Sequence, residues 1–480
     1  MGTVQKKNRL FIDLFSGCGG LSLGLEQAGF RPIAFAEHSK EAADTYEFNA
    51  KEHREDAKRF GEVQEIAKKS VIARLLRAAG KKYGANETDL DLVVGGPPCQ
   101  GFSRLGIRRS HGHNRIDNPG NHLFEEMAEV IRLSGPKTFV FENVLGLLKA
   151  KWTDSKEAKS GEVFAKLLRT FASIQTKGKK HYRIRWKILH AKDFGVPQNR
   201  PRLILIGIRS DIARNLDKEA FQKYAPNSLL GGPSNVGEEE KLHLTYPSEY
   251  IEFFRASDQC RFHPNPDGII VPTPAQVLYD LVDKRWYDFM RHRVVDKSLC
   301  RSNFKSCSYF RKPIPNSLGQ QLRGGRSERG CILNHEYSLH SEEVIRRFKS
   351  IQKDGAAKGA IKNKKFSQRL IGKVGTNGAE WPNGTPNITV TSMPDDLVHF
   401  EQPRTLTVRE WARLQTFPDD YVFQGKRTTG GVRRAGIPGA GLFERETPQY
   451  TQIGNAVPPL LAKCIGDQLI HLIKTAEGKK

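Results

Sequence analysis

The sequence predicts an α/β protein built on a doubly wound, mostly parallel sheet, with a smaller irregular unit inserted into it. Three observations lead there. Apolar strand-like runs alternate with amphipathic helical stretches from about residue 9 to residue 210. From about 210 to 400 that alternation gives way to Pro- and Gly-punctuated sequence such as PNPDGIIVPTP and QQLRGGRSERG. Near the end, QIGNAVPPLLAKCIGDQLIHLIKTA reads as a turn leading into a long amphipathic helix, which needs a sheet to cover its apolar face. The expected division is therefore a first part of the main unit over 1–210, an insertion over 211–385, and a return segment over 386–480 that completes the main unit.

Taken in order, LFIDLF is a buried strand, SGCGG a glycine turn, LSLGLEQAGF a helix and PIAFAEH a second strand, together a βαβ unit. DLDLVVGGPPC is another apolar strand running into a stiff loop, HLFEEMAEVIRLS a helix, and KTFVFENV a strand that ends on polar residues. YRIRWKILHA and RPRLILIGIRS have little between them, as in an antiparallel pair at a sheet edge. TLTVREWARLQTFP reads as a capped helix. In such a sheet ligands gather at the carboxyl ends of the strands, so the residues that end each strand are the candidates for function.

Composition narrows the class. At 480 residues with 38% hydrophobic content, the chain can bury more than one core, yet its apolar runs stay far short of the roughly 20 residues that span a bilayer. No membrane role is expected, and the N-terminal stretch lacks the cleavage site of a secretory signal. Seven scattered cysteines argue against a disulfide framework and for a reducing, cytosolic or nuclear compartment where a thiol can act as a nucleophile. Cys260, His263, Cys300, Cys307, Cys331 and His335 lack the paired C-x2-C spacing of a zinc site, so no metal is expected. A formal net charge of +24 implies a polyanionic partner. The surplus is local: between residues 291 and 373, 20 Lys or Arg stand against 6 Asp or Glu, whereas between 211 and 290 the counts are 8 and 13. Within the basic stretch, Arg323, Arg326 and Arg329 among glycines are candidates for contact with guanine edges or phosphates.

The turn at Ser16–Gly20 follows a strand and opens a helix, which allows a nucleotide-like cofactor to approach the backbone closely. Its spacing matches neither G-x-G-x-x-G nor G-x-x-x-x-G-K-[ST], which disfavours a dinucleotide or a P-loop. Glu37, ending the second strand, stands where an acidic side chain accepts from ribose hydroxyls. In Gly95-Gly96-Pro97-Pro98-Cys99-Gln100, two prolines stiffen the backbone immediately before a cysteine, as a nucleophile held for attack would require. Glu142 ends a further strand and would sit beside Cys99 if the two strands are neighbours. Arg200 and Arg202 alternate along an extended segment and can point to one side of it.

FIDLFSGCGG, GGPPCQGFS, ENV, QNRPR, RTLTVREWARLQTFPDDY and QIGNAVPP, in that order, resemble the motifs of the C5-cytosine DNA methyltransferases. The resemblance covers roughly residues 9–210 and 386–475, and the insertion falls where that family carries its target recognition domain. It implies the S-adenosylmethionine-dependent methyltransferase type of sheet, S-adenosylmethionine as cofactor and double-stranded DNA as partner. It further implies Cys99 as the nucleophile that adds to cytosine C6, Glu142 as the acid at ring N3 and the exocyclic amine, and Arg202, supported by Arg200, on the O2 side. On the cofactor it implies Phe15, Cys18 and Gly20 on the turn, Glu37 on the ribose and Asp56 on the adenine amine. His38 stands where the family often stacks an aromatic ring, and Gly96, Pro98, Leu123, Asn455 and Val457 complete the pocket. With little outside the catalytic and recognition regions, the chain resembles a bacterial restriction-modification enzyme, cytoplasmic and monomeric.

Two other readings keep part of this. Some relatives methylate cytosine in transfer RNA, but a long basic insertion suits sequence reading in a duplex. A homologue that binds DNA without catalysis would not need Cys99, Glu142 and Arg202 intact. A third, an NAD-type dehydrogenase, lacks its glycine spacing.

Overall fold

The computed structural model describes residues 8–53, 57–83, 90–98, 122–153, 159–215, 272–282, 312–324, 332–338, 340–354, 369–370, 388–428 and 446–478. Seven strands form one sheet: β1 (Arg9–Leu14), β2 (Phe30–Ala36), β3 (Lys58–Phe60), β4 (Leu90–Gly95), β5 (Thr138–Asn143), β6 (Tyr182–His190) and β7 (Pro201–Arg209). Their spatial order is β3-β2-β1-β4-β5-β7-β6. All neighbours run parallel except β7, which is antiparallel to both β5 and β6. The expected antiparallel pair is thus present at one edge. Its consequence lies inside the sheet, because β7 begins at the end where β5 finishes.

Helices α1 (Gly20–Ala28), α2 (Lys40–His53), α3 (Lys69–Tyr83), α4 (Leu123–Ser134), α5 (Glu162–Ala172) and α9 (Pro459–Gly478) pack on the two faces, and α6 (Glu342–Asp354), α7 (Val408–Leu414) and α8 (Gln449–Asn455) are further helices of the chain. The strand sequences divide their side chains between the faces with period two. Leu10, Ile12, Leu14, Phe139, Phe141, Leu203 and Leu205 enter one core with α3, α4 and α5. Phe11, Leu92, Val94, Val140, Ile204 and Ile206 enter the other with α1 and α9. Both cores are needed to bury strands that are apolar on both sides.

Helix α1 lies against α9 at glycine. A Cβ on Gly24 would stand 2.2 Å from the Pro459 carbonyl oxygen, and one on Gly466 2.7 Å from Ala28 Cβ. At the opposite end of the sheet, Arg9 Nη1 meets Asp91 at 3.0 Å and Arg9 Nη2 meets Glu477 at 2.6 Å, while Lys137 Nζ reaches the same two carboxylates at 2.7 and 2.9 Å. Three buried charges and the partly exposed Glu477 therefore pin the end of α9 to the starts of the strands.

A third core joins residues 275–282 and Ile332 to residues 388–453 around α7, with Cys18 among its members. Thr407 caps α7 in a reciprocal box with Glu410, as its sequence predicts. Three arginines of this segment are buried. Arg404 pairs both terminal nitrogens with Glu410 at 2.7 Å, Arg409 donates to the carbonyls of Pro418 and Tyr421, and Arg413 is held between Asp280 and Asp419. Asp280 also lies 3.6 Å from Arg323, which is 5% exposed. That corrects the expectation of a base-reading Arg323: its guanidinium is packed inside the protein. Arg326 and Arg329 lie outside the described residues.

Candidate active site

Strand order reverses between β1 and β4, and the carboxyl ends of β1, β2, β4 and β5 surround that point. After β1, Phe15 takes the left-handed conformation at φ 58°, followed by Gly17 at 56°. Glu37, at the end of β2, accepts from the Gly17 N–H on Oε2 and from the Ser39 N–H on Oε1, both at 2.8 Å. Burial pushes the Glu37 carboxyl up, against the pull of those two backbone donors. Cys18 is buried beneath the turn; its carbonyl accepts from the Tyr421 hydroxyl, its Sγ lies 3.5 Å from the Gln452 carbonyl oxygen, and burial pushes its thiol up.

The turn has one open and one closed side. A Cβ on Gly17 would meet nothing within 4 Å, whereas one on Gly20 would stand 2.5 Å from the Val457 carbonyl oxygen. Ser16 Oγ is buried and has no hydrogen-bond partner among the described residues. Space over Gly17, an orphaned hydroxyl and a carboxylate at the adjoining strand end fit a polar, nucleoside-bearing molecule. Val457, buried, borders the turn from the α8–α9 connection, whereas Asn455, exposed, ends α8. Leu123, half-buried, opens α4.

His38 is exposed, its Nδ1 2.5 Å from Glu62 Oε1. Asp56 lies outside the described residues and precedes β3 in the sequence. The acidic residue found at the carboxyl end of β3, beside His38 and Glu37, is Glu62. Sequence reasoning missed it because a three-residue strand carries no periodicity. The available signal was Gly61-Glu62 directly after Lys58-Arg59-Phe60 and before Val63.

The chemistry-bearing side is built from β4, β5 and β7. Gly96 packs on Glu142 so closely that a Cβ there would stand 2.8 Å from Glu142 Oε2. Asn143 Nδ2 donates to the Pro97 carbonyl at 3.0 Å, tying the end of β5 to the loop that leads through Pro98 into Cys99. Cys99 itself lies outside the described residues. Because β7 starts where β5 ends, Arg202 reaches back to Glu142, Nε to Oε1 at 2.7 Å. Glu142 is 9% exposed. Burial raises its carboxyl above the ordinary range, opposed by the charges of Arg202 and Arg200. A carboxyl so placed can carry a proton for a partner, then be stabilised as the anion by a guanidinium already in contact.

Arg200, expected to support Arg202, is tied to backbone carbonyls of two other segments. Its Nη1 donates to the Val390 carbonyl at 2.8 Å and its Nη2 to the Gly454 carbonyl at 2.6 Å. Only 2% exposed, it joins three chain segments, because both terminal nitrogens are consumed by backbone oxygens that would otherwise be buried unpaired. Among the described residues no group of three or more His, Cys, Asp or Glu could hold a metal ion, and no helix is long and apolar enough to cross a membrane.

The C-5 cytosine-specific DNA methylase family profile matches residues 10–471. The Type II methyltransferase M1.HphI of Haemophilus parahaemolyticus is 29% identical over 462 residues, covering 96% of this chain and 87% of that protein. The Type II methyltransferase M.DdeI of Desulfomicrobium norvegicum is 28% identical over 468 residues, covering 95% and 88%. Among solved structures, one described as a DNA modification methyltransferase encoded within an E. coli prophage superposes with a TM-score of 0.56 at 22% identity, covering 97% of this chain and all of that one, which bears on the fold alone.

Proposed function

This chain belongs to the C-5 cytosine-specific DNA methylases, and from that premise we propose that it methylates cytosine in a specific sequence of double-stranded DNA, with Cys99 as nucleophile and S-adenosylmethionine as methyl donor. The observation that carries the reading is the Glu142 carboxyl, raised by burial, held by Arg202 and seated on Gly96 three residues before Cys99. A target base stacked in a duplex is shielded on both faces, so it must be turned out at a cost of a few kcal/mol. The basic insertion supplies phosphate contacts that offset this cost.

In the site, the Cys99 thiolate adds to C6 of the turned-out ring while Glu142 delivers a proton to N3, which makes C5 an enamine carbon. Bound S-adenosylmethionine supplies a sulfonium methyl for that carbon. Loss of the C5 proton to a base, elimination of the Cys99 thiolate and return of the N3 proton to Glu142 restore the aromatic ring and the starting state of the site. Arg202 holds Glu142 in place throughout and stabilises it as the anion once its proton is given up. Glu37 and the open side of the Gly17 turn hold the ribose, Phe15, Leu123, Asn455 and Val457 line the pocket, and Glu62, beside Glu37, faces the adenine amine.

Its Type II methyltransferase relatives support a role in a restriction-modification system. Bisulfite sequencing of plasmid DNA from expressing cells reports activity and target together. Cys99→Ser should abolish methylation while binding DNA, because a hydroxyl is far less ionised than a thiol at neutral pH. Duplex containing 5-fluorocytosine should trap the wild-type protein covalently, since fluorine cannot leave as a proton does. Methylation near the wild-type rate by Cys99→Ser, or no trapped complex, refutes the assignment of Cys99.

A further inference from the structure

Between the segment that leads into β7 and the turn after α8 lie two glutamines without solvent contact, Gln198 and Gln415. Gln198 Oε1 accepts from the Val390 N–H at 2.9 Å, and its Nε2 donates to the Leu414 carbonyl at 2.9 Å and to Gln415 Oε1 at 2.8 Å. Gln415 Nε2 donates in turn to the carbonyls of Ile453 at 2.7 Å and Ala456 at 3.4 Å. The amide orientations are dictated by these partners: the Val390 N–H requires an oxygen, which fixes Gln198, and the Gln198 amide nitrogen requires an oxygen, which fixes Gln415. A one-directional chain of amides therefore runs from residue 390, where the insertion rejoins the main unit, to the two carbonyls on either side of Asn455.

The ends are held close by other contacts. Asn199 N–H donates to the Ile388 carbonyl at 2.9 Å, and Thr389 Oγ1 donates to the Asn199 carbonyl at 2.6 Å. Gly454 is packed so tightly on the same segment that a Cβ there would stand 2.1 Å from the Thr391 carbonyl oxygen. In so dry a junction, a shift of residues 388–391 or of residues 453–456 alone would strand a donor or an acceptor, so the two segments move together or not at all.

We propose that Gln198 and Gln415 are positioning residues that couple the recognition insertion to the cofactor turn, so that filling the turn and engaging DNA each favour the other. This rests on the cofactor and DNA assignments above. Coupling of this kind is reciprocal: the factor by which cofactor tightens DNA equals the factor by which DNA tightens cofactor.

The test uses the full chain, S-adenosylhomocysteine, and a duplex carrying the methylated sequence. Kd for the duplex is measured with and without saturating S-adenosylhomocysteine, and Kd for S-adenosylhomocysteine with and without duplex. Wild type should give the same ratio both ways, on the order of tenfold. Gln415→Met keeps the length and bulk of the side chain but not its amide, and should bring both ratios toward one. Gln198→Met should do the same, and the double variant should lose nothing further. A merely structural role would lower stability and leave the ratios alone, so unchanged ratios in a cooperatively melting variant overturn the proposal. Should the variants fail to fold, amide exchange in wild type decides: S-adenosylhomocysteine alone should slow exchange of the peptide spanning residues 388–392, and unchanged exchange overturns the coupling. Failure to bind S-adenosylhomocysteine at all would overturn the reading of the turn, and the coupling with it.

Discussion

At Glu142 two neighbours and burial do three different things: Gly96 leaves room for the carboxyl, burial raises its proton affinity, and Arg202 pairs with the anion. Glu142→Gln keeps the shape and loses the proton, so single-turnover methylation should fall by about 10²–10⁴. Cofactor affinity, measured with S-adenosylhomocysteine by calorimetry, should hold, because none of the turn's contacts involves Glu142. His335 offers a second residue-level test. Its Nε2 lies 3.0 Å from the Leu281 carbonyl oxygen and its Nδ1 2.8 Å from Thr407 Oγ1, which suits the neutral ring. Burial lowers its pKa below the ordinary 6.5, aided by Arg404 and Arg413 and opposed by Glu410. Below that value the unfolded chain takes up a proton that the folded chain resists, so this contribution to stability is present above about pH 6.5 and is lost as pH falls. The wild-type Tm should therefore drop more between about pH 7.5 and about pH 5.5 than that of His335→Gln. Equal drops would deny His335 this role. Glu142 was legible from sequence because it stands at the end of an apolar strand, and Arg202 because it alternates with Arg200 along an extended segment that opens one. Arg200 was not, since its partners are carbonyls of Val390 and Gly454 that no local pattern announces. Arg323 was misread for the same reason: its neighbour Asp280 is remote in sequence.

Among the elements, those with strong periodicity or flanking turn residues were legible and those without were not. β1, β4, β5, β6 and β7 read directly as apolar or alternating runs, and α7 announced itself through Thr407 and Glu410. β3 is three residues long, too short for any pattern to show. The pairing of β7 with β5 also escaped local reading, because register depends on which strand is the neighbour. The α1–α9 contact yields an element-scale prediction. Alanine at position 24 would gain about 1 kcal/mol of helix propensity over glycine. It would also drive a methyl group to 2.2 Å from the Pro459 carbonyl oxygen and 2.5 Å from Ala462 Cβ, and much of that contact is backbone that cannot rotate away. Gly24→Ala should therefore lower Tm despite the better propensity, with a net cost of about 1–3 kcal/mol typical of overpacking. Because α1 starts at the glycine turn, affinity for S-adenosylhomocysteine should fall as well. A Tm at or above wild type would show that the two helices can part without loss.

Over the whole molecule, a net charge of +24 has to be reconciled with arginines that are buried as structural ties. Arg404, Arg409 and Arg413 lie inside the protein, so they release no counterions on binding DNA. The exposed remainder still makes DNA affinity steeply dependent on salt. If 6–10 phosphates are neutralised, affinity should fall by about 10³–10⁵ between roughly 50 and 200 mM salt, as a log–log titration would read. A shallow slope would move recognition away from phosphate contacts altogether. The staple at the far end of the sheet matters in a different respect, namely time. Arg9 and Glu477 are 468 residues apart in the chain, and they meet at 2.6 Å. During synthesis β1 and its glycine turn emerge first, while the helix that covers α1 and the carboxylate that neutralises Arg9 and Lys137 emerge only after the insertion has been made. Until then one apolar flank of the sheet stays open to water and to other chains. The turn after β1 is therefore translated well before the elements that finish it.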